Sequence, residues 1–291
     1  MGANRLIGIG FAGWQKMEGF YPPRTRVSEM LSVYAEQFDV VEVRSTFQGI
    51  PSVARVSEWA ESVPGGFRFH VIAFGGLTLH QLRPGQSESL SKSWVDVAVS
   101  PPDDIFSEFI NAMAPLIDSN KLGSVILQFP PWFESSMESI AYLARCRDLM
   151  RGVPLGVELR NNSWFTPSSR LDHTLDRLID YEMGIVVADL VIGDGSTLDV
   201  PKEITSEIGL IRLHGRLTED WKRIGSNAAV TAHYEYREDE LWELAGIIGS
   251  LGEYAEKVDV LFGVDASENA ISVANRLIEI VDAEAFSEGL K

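Results

Sequence analysis

The chain has 291 residues, 45% of them hydrophobic, with 42 acidic against 25 basic side chains and a formal charge of −17 at pH 7. That is enough apolar material for a sizeable core, while the charge repels polyanions at long range and puts sequence-independent binding to duplex nucleic acid at a disadvantage. Cys146 is the only cysteine, which excludes a disulfide framework and zinc-finger spacing.

No apolar run reaches membrane-spanning length, and MGANRLIGIGF has no basic-then-apolar leader, so a cytoplasmic protein with no membrane partner is expected. Short β-branched runs then alternate with amphipathic segments. Strands are expected at 6–11, 40–45, 67–74, 124–129, 154–159, 184–189, 210–215 and 260–265. Between them, SEMLSVYAEQF reads as a helix capped by Ser28, and SSMESIAYLARCRDLM as one capped by Ser135 with Glu138 as capping-box partner. REDELWELAGIIGSL and ENAISVANRLIEIV continue the pattern to the end of the chain.

About eight strand–helix pairs in one chain predict an α/β fold, a closed (β/α)₈ barrel of the TIM type spanning 1–291 as one domain, ahead of an open doubly wound sheet. GIGFAGW lacks GxGxxG, and Trp14 stands where a phosphate-cradling helix needs small residues. Two long connections, at about 75–102 and 216–237, follow strands and belong at the C-terminal mouth.

The repeated phrases VVEVRSTF and GVELRNNSW end apolar runs in Glu-x-Arg. Alternation puts Glu42 with Arg44, and Glu158 with Arg160, on one strand face, where buried ions must be paired with each other or with a ligand. Truncating one partner in a desolvated site is expected to cost about 3–5 kcal/mol. A barrel mouth would also collect Trp14, Gln128, Asp189, Arg212, His214, Arg216 and Asp265. The arginines Arg44, Arg160, Arg212 and Arg216 outnumber the two glutamates, so a small anionic ligand is expected, unless Asp189 and Asp265 absorb the surplus.

In LIRLHGR, His214 shares a face with Arg212, and neighbouring arginines should push its pKa down; with Glu158 and Glu42 it forms the candidate catalytic set. His70, His80 and His173 are weaker acid–base candidates. Trp14, Phe47 and Trp164 are candidate stacking residues, beside His80 and Gln128 in the expected substrate site. The acids make an oxygen-rich set of the kind that holds a divalent metal, but arginine at i+2 of both glutamates competes, and no metal or other cofactor is expected. No Ser-His-Asp order or GxSxG elbow is visible, which gives acyl transfer little support.

Taken together, GFAGW with FYPP, VEVRSTFQGIP, LTLH, LQFPP, VELRNNSW, LHGR and YEYR resemble, in order and spacing, the YecE-like family, a domain of unknown function. The resemblance covers nearly the whole chain. It implies a (β/α)₈ barrel with a polar groove at its C-terminal mouth, distantly similar to the endonuclease-IV-like and sugar isomerase barrels, and no known reaction. Matching positions are Trp14, Glu42, Thr46, Phe47, His80, Gln128, Pro130, Glu158, Arg160, Trp164, Arg212, His214, Gly215 and Arg216. The chain departs from the family pattern at Arg44, where asparagine is usual, at Ile72, where lysine is usual, and at Phe262–Gly263–Val264 in place of Phe-Asn-Asn. The expected activity is an isomerase or hydrolase acting on a phosphorylated or otherwise anionic small substrate. The alternatives are a module that grips a nucleic-acid end or protein tail, and a metal-dependent phosphodiesterase.

Overall fold

The computed structural model describes residues 7–15, 17, 19–80, 101–190, 202–216, 234–263 and 268–288. Eight parallel strands close on themselves in sequence order: β1 (Ile7–Ala12), β2 (Val40–Val43), β3 (Arg68–Ile72), β4 (Leu122–Gln128), β5 (Leu155–Glu158), β6 (Met183–Leu190), β7 (Ile208–Gly215) and β8 (Lys257–Phe262), with β8 pairing back to β1. Seven helices are described: α1 (Met30–Tyr34), α2 (Val53–Glu61), α3 (Asp103–Asp118), α4 (Met137–Leu149), α5 (Ser168–Asp180), α6 (Glu238–Gly252) and α7 (Glu268–Glu288). The alternation is that of a TIM-type barrel. None of these helices is long and apolar enough to cross a membrane.

Strands buried on both faces read as continuous apolar runs. Their outward residues, such as Phe11, Phe69, Val125 and Val157, meet the helices. In α3 the buried positions Phe106, Phe109, Met113 and Leu116 recur at helical spacing and form the stripe laid against the sheet. Inside the ring, Val40, Ile72, Ile126, Val186, Leu210 and Leu261 make a separate apolar layer, with Phe47 packed against it. That layer divides the barrel interior into two polar ends.

Two helix starts differ from expectation. Ser28 does not cap α1, whose N-cap is Glu29 with no side-chain capping bond, and the helix is short because its exit tightens into i→i+3 bonds before β2. Ser136, not Ser135, caps α4 by accepting from Ser139 N, while Ser135 Oγ accepts from Arg170 Nη1 at 3.1 Å.

The β1–β2 seam contains a side chain. Tyr34 Oη accepts from Phe11 N at 2.8 Å and donates to Val40 O at 2.8 Å, so α1 is stitched into the ladder. Gly10 permits the approach, because a Cβ there would sit 1.9 Å from Val40 O and 2.8 Å from the Tyr34 hydroxyl.

Candidate functional site

At the carboxyl ends of the strands, the inner face carries Glu42 (β2), Gln128 (β4), Glu158 (β5), Arg212 and His214 (β7), with Arg44 and Arg160 just beyond β2 and β5. Arg212, 1% exposed, is the hub. Its Nε donates to Glu42 Oε2 at 2.7 Å, its Nη2 to Glu42 Oε1 at 2.8 Å, and its Nη1 to Gln128 Oε1 at 2.9 Å and to Glu158 Oε2. Arg44 Nε reaches Glu42 Oε1 at 2.8 Å, and Arg160 Nε reaches Glu158 Oε1 at 2.5 Å while its Nη2 bonds Gln128 Oε1 at 2.9 Å. The two Glu-x-Arg phrases therefore meet in one network.

Burial opposes ionisation of both glutamates, yet Arg212 and Arg44 hold the Glu42 carboxyl down at about 2, and Arg160 and Arg212 hold Glu158 well below its ordinary value. Both are acceptors only. His214 Nε2 stands 3.4 Å from Glu158 Oε2, so that nitrogen carries the proton and Nδ1 offers a lone pair. Burial, with Arg212 and Arg160 assisting and Glu158 opposing, pushes His214 down to about 4. His80 is pushed down to about 4 as well, by burial and then by Arg160.

Among the described residues three guanidiniums thus face two carboxylates, with both imidazoles neutral at pH 7. Two buried nitrogens are left over among the described residues. Gln128 Oε1 accepts from two arginines, which fixes the amide orientation, and Nε2 is buried with no partner among the described residues. His80 Nδ1 is engaged by Thr78 Oγ1 at 3.0 Å, while its Nε2 is likewise buried and unpartnered. Buried polar groups without partners are rare enough to ask for an occupant.

The family described as "Protein of unknown function DUF72" matches residues 8–289. The chain belongs to that family. Among curated DUF72 relatives, UPF0759 protein YunF of Bacillus subtilis is 30% identical over 283 residues, 96% of each chain. UPF0759 protein YecE of Escherichia coli is 27% identical over 174 residues, 59% of this chain and 54% of its own length. A crystal structure of a DUF72 family protein from Enterococcus faecalis superposes with a TM-score of 0.75 at 26% identity, covering 95% of this chain and 97% of that one. One from Thermotoga maritima, at 22% identity, shares the fold with a TM-score of 0.72 over 94% and 98% of the two chains.

Within this DUF72 barrel the expected site residues separate into those that meet and those that do not. Glu42, Arg44, Gln128, Glu158, Arg160, Arg212 and His214 converge, with His80 beside them and its ring edge-on to Phe47 at 4.9 Å. Arg216 and Asp189 do not join. Ala188 takes the inner position on β6, which leaves Asp189 to accept from Arg216 Nε at 2.9 Å and from Tyr236 Oη at 2.8 Å, while Arg216 also pairs with Glu240 and Glu243 of α6. The fourth arginine's charge is consumed there. Trp14 and Trp164, expected to face substrate, serve packing instead. Trp14 is 7% exposed and edge-on to Trp59, and Trp164, 1% exposed, donates Nε1 to Phe133 O at 2.7 Å and stacks on Phe133. Among the described residues no three His, Cys, Asp or Glu side chains gather as metal ligands; Asp265, and most of both long connections, lie outside the described residues.

Two departures from the family pattern fit one another. Arg44 Nη2 donates to Gly263 O at 3.0 Å, and a Cβ on Gly263 would come 3.0 Å from that nitrogen and 3.1 Å from His214 Nδ1. A glycine at 263 makes room for the arginine at 44 and keeps His214 Nδ1 clear. The third, Ile72, belongs to the apolar layer beneath.

Sequence reasoning passed over a second network at the opposite end, formed by Arg68, His70, Ser124 and Asp259. Its signal was present: Arg68 and His70 have the same i, i+2 spacing as Arg212 and His214.

The histidine assignments predict an NMR titration in which His214 and His80 protonate near pH 4, well below the ordinary 6.5. The unfolded chain would then bind more protons than the folded one between about 6.5 and 4, so stability falls as pH drops through that window. Midpoints near 6.5 for both rings would contradict the buried, arginine-flanked setting.

Proposed function

We propose that the DUF72 barrel mouth binds a small, singly charged organic anion, a carboxylate ahead of a phosphate dianion, and that His214 Nδ1 takes a proton from it in an isomerase-type step. The observation that supports this reading is the buried Nε2 donor of Gln128 and the buried His80 Nε2, both without a partner among the described residues, beside three guanidiniums and two carboxylates counted among those same residues. A monoanion neutralises that surplus; a dianion leaves a buried net negative charge, which is costly. Glu42 and Glu158 are too acidic to be effective bases near pH 7, whereas a neutral imidazole with a free lone pair is suited to the task. Positioning falls to Arg44 and Arg160, whose side chains are 16% and 4% exposed at the rim of the network.

A thermal-shift panel of small carboxylates, inorganic phosphate, sugar phosphates and nucleotides, with and without chelator, tests this. A ligand at a hundred times its Kd adds about 2.7 kcal/mol to stability, so carboxylates should raise the Tm in chelator, and Arg160→Ala and Arg44→Ala should abolish the rise. Stabilisation confined to dianionic phosphates, or unaffected by either substitution, would contradict the reading. Carboxylate binding undiminished in His214→Ala separates binding from proton transfer, which that variant should lose.

A further inference from the structure

At the amino ends of the strands, below the apolar layer, lies a cavity of about 680 Å³ bordered by Ser124, Gly156, Gly184, Ser206, Leu210 and Lys257. Ser124 Oγ is 2.8 Å from His70 Nδ1, and His70 Nε2 is 2.8 Å from Asp259 Oδ2. Arg68 clamps the same carboxylate, Nε on Oδ2 at 2.8 Å and Nη2 on Oδ1 at 2.5 Å. His70 and Asp259 are fully buried, and Ser124 is 6% exposed on the cavity wall.

The proton positions follow from these contacts. Burial alone would favour the neutral acid at Asp259, but the hydrogen bonds from Arg68 and His70 hold its carboxyl below the ordinary value, so it is an acceptor. With Asp259 an acceptor, His70 Nε2 is the donor to it, and Nδ1 is placed to accept from the Ser124 hydroxyl. This is a nucleophile, a base and an orienting carboxylate in series, with the imidazole turned end for end relative to the usual serine triad.

We propose that Ser124, with His70 as its base, is a second reactive centre of this barrel and cleaves small uncharged carboxylic esters admitted through the amino-end cavity. The cavity volume suits a small organic molecule, and its wall mixes Leu155, Ile208 and Leu210 with charges of both signs, which fits a ligand of no net charge. Ser124 Oγ bonds to the ester carbonyl carbon as its proton passes to His70 Nδ1. The carbon–alkoxide bond breaks, and the alkoxide leaves with that proton. Water then adds to the acyl carbon, its proton going by way of His70 to Ser124 Oγ as the acyl–Oγ bond breaks and the carboxylic acid is released.

The test is labelling of the purified full-length protein with a small fluorophosphonate, mapped by peptide mass spectrometry, alongside hydrolysis of p-nitrophenyl acetate. The adduct is expected on Ser124. Hydrolysis should fall at least about 100-fold in Ser124→Ala and be unchanged in Ser250→Ala on the outer face of α6. If Ser124→Ala fails to fold, Ser124→Cys retains a nucleophile, and the introduced thiol should alkylate with iodoacetamide faster than Cys146, which is buried. Absence of an adduct on Ser124 in folded protein, or hydrolysis equal in wild type and Ser124→Ala, would overturn the proposal, as would an introduced thiol no more reactive than Cys146.

Discussion

Replacing Arg212 with leucine will lower folding stability by about 3–5 kcal/mol at neutral pH, the cost of removing the guanidinium that bonds both buried glutamates and leaving each with one arginine. The size follows from the position of the guanidinium. Among the described residues it is the one side chain bonded to both Glu42 and Glu158, and both carboxylates are fully buried. The pH dependence has a definite sign. Glu42 is held at about 2, so its contribution is complete above the ordinary carboxyl value of 4.5 and is lost as pH falls through about 2. In Arg212→Leu that depression weakens, so the gap between wild type and variant narrows as pH is lowered. Arg212→Lys should recover only part of the loss, because an ammonium keeps the charge but cannot reproduce the fork that spans two glutamates and Gln128. Urea unfolding at several pH values measures all three.

A comparable loss, about 3–5 kcal/mol, is expected for Asp259→Ala at the other end of the barrel. The carboxylate accepts two bonds from Arg68 and one from His70, and its removal strands a guanidinium that is 8% exposed beside an imidazole that is wholly buried. The double substitution Arg68→Met with Asp259→Leu should restore much of the stability, since replacing both members of a buried pair by apolar groups is often neutral or better. If the single and double variants are equally unstable, the loss comes from packing volume and not from uncompensated charge.

The barrel was legible in the sequence because strands buried on both faces advertise themselves as apolar runs, and all eight runs became strands. The errors at their starts have a common cause. β8 begins at Lys257, three residues before the expected 260, and β7 at Ile208, two before 210. In both, residues that are not apolar interrupt the start of the run, Lys257 and Asp259 in β8 and Gly209 in β7, so the apolar signal begins late.

The mouth was legible for a different reason. Glu-x-Arg fixes two charges on one strand face whatever surrounds them, and the hydrogen bonds from Arg44 to Glu42 and from Arg160 to Glu158 follow from that spacing. Proximity to a strand end was a weaker guide. Trp14 and Trp164 lie just after strands, but their indoles fill gaps against Trp59 and Phe133, contacts between residues remote in sequence. Asp189 was placed by the apolar run alone, and the register shift between Asp189 and Leu190 turns on long-range pairing with β7.

Anomalous diffraction from crystals soaked in sodium bromide tests the surplus positive charge at the mouth most directly, because bromide is a compact monoanion whose position can be read independently of the protein phases. A bromide peak within hydrogen-bonding distance of Gln128 Nε2, absent from Arg160→Ala crystals, is the predicted result. Bromide found only on the outer surface, with the Glu42, Arg212 and Glu158 contacts intact, would show that the network is already satisfied by its own residues.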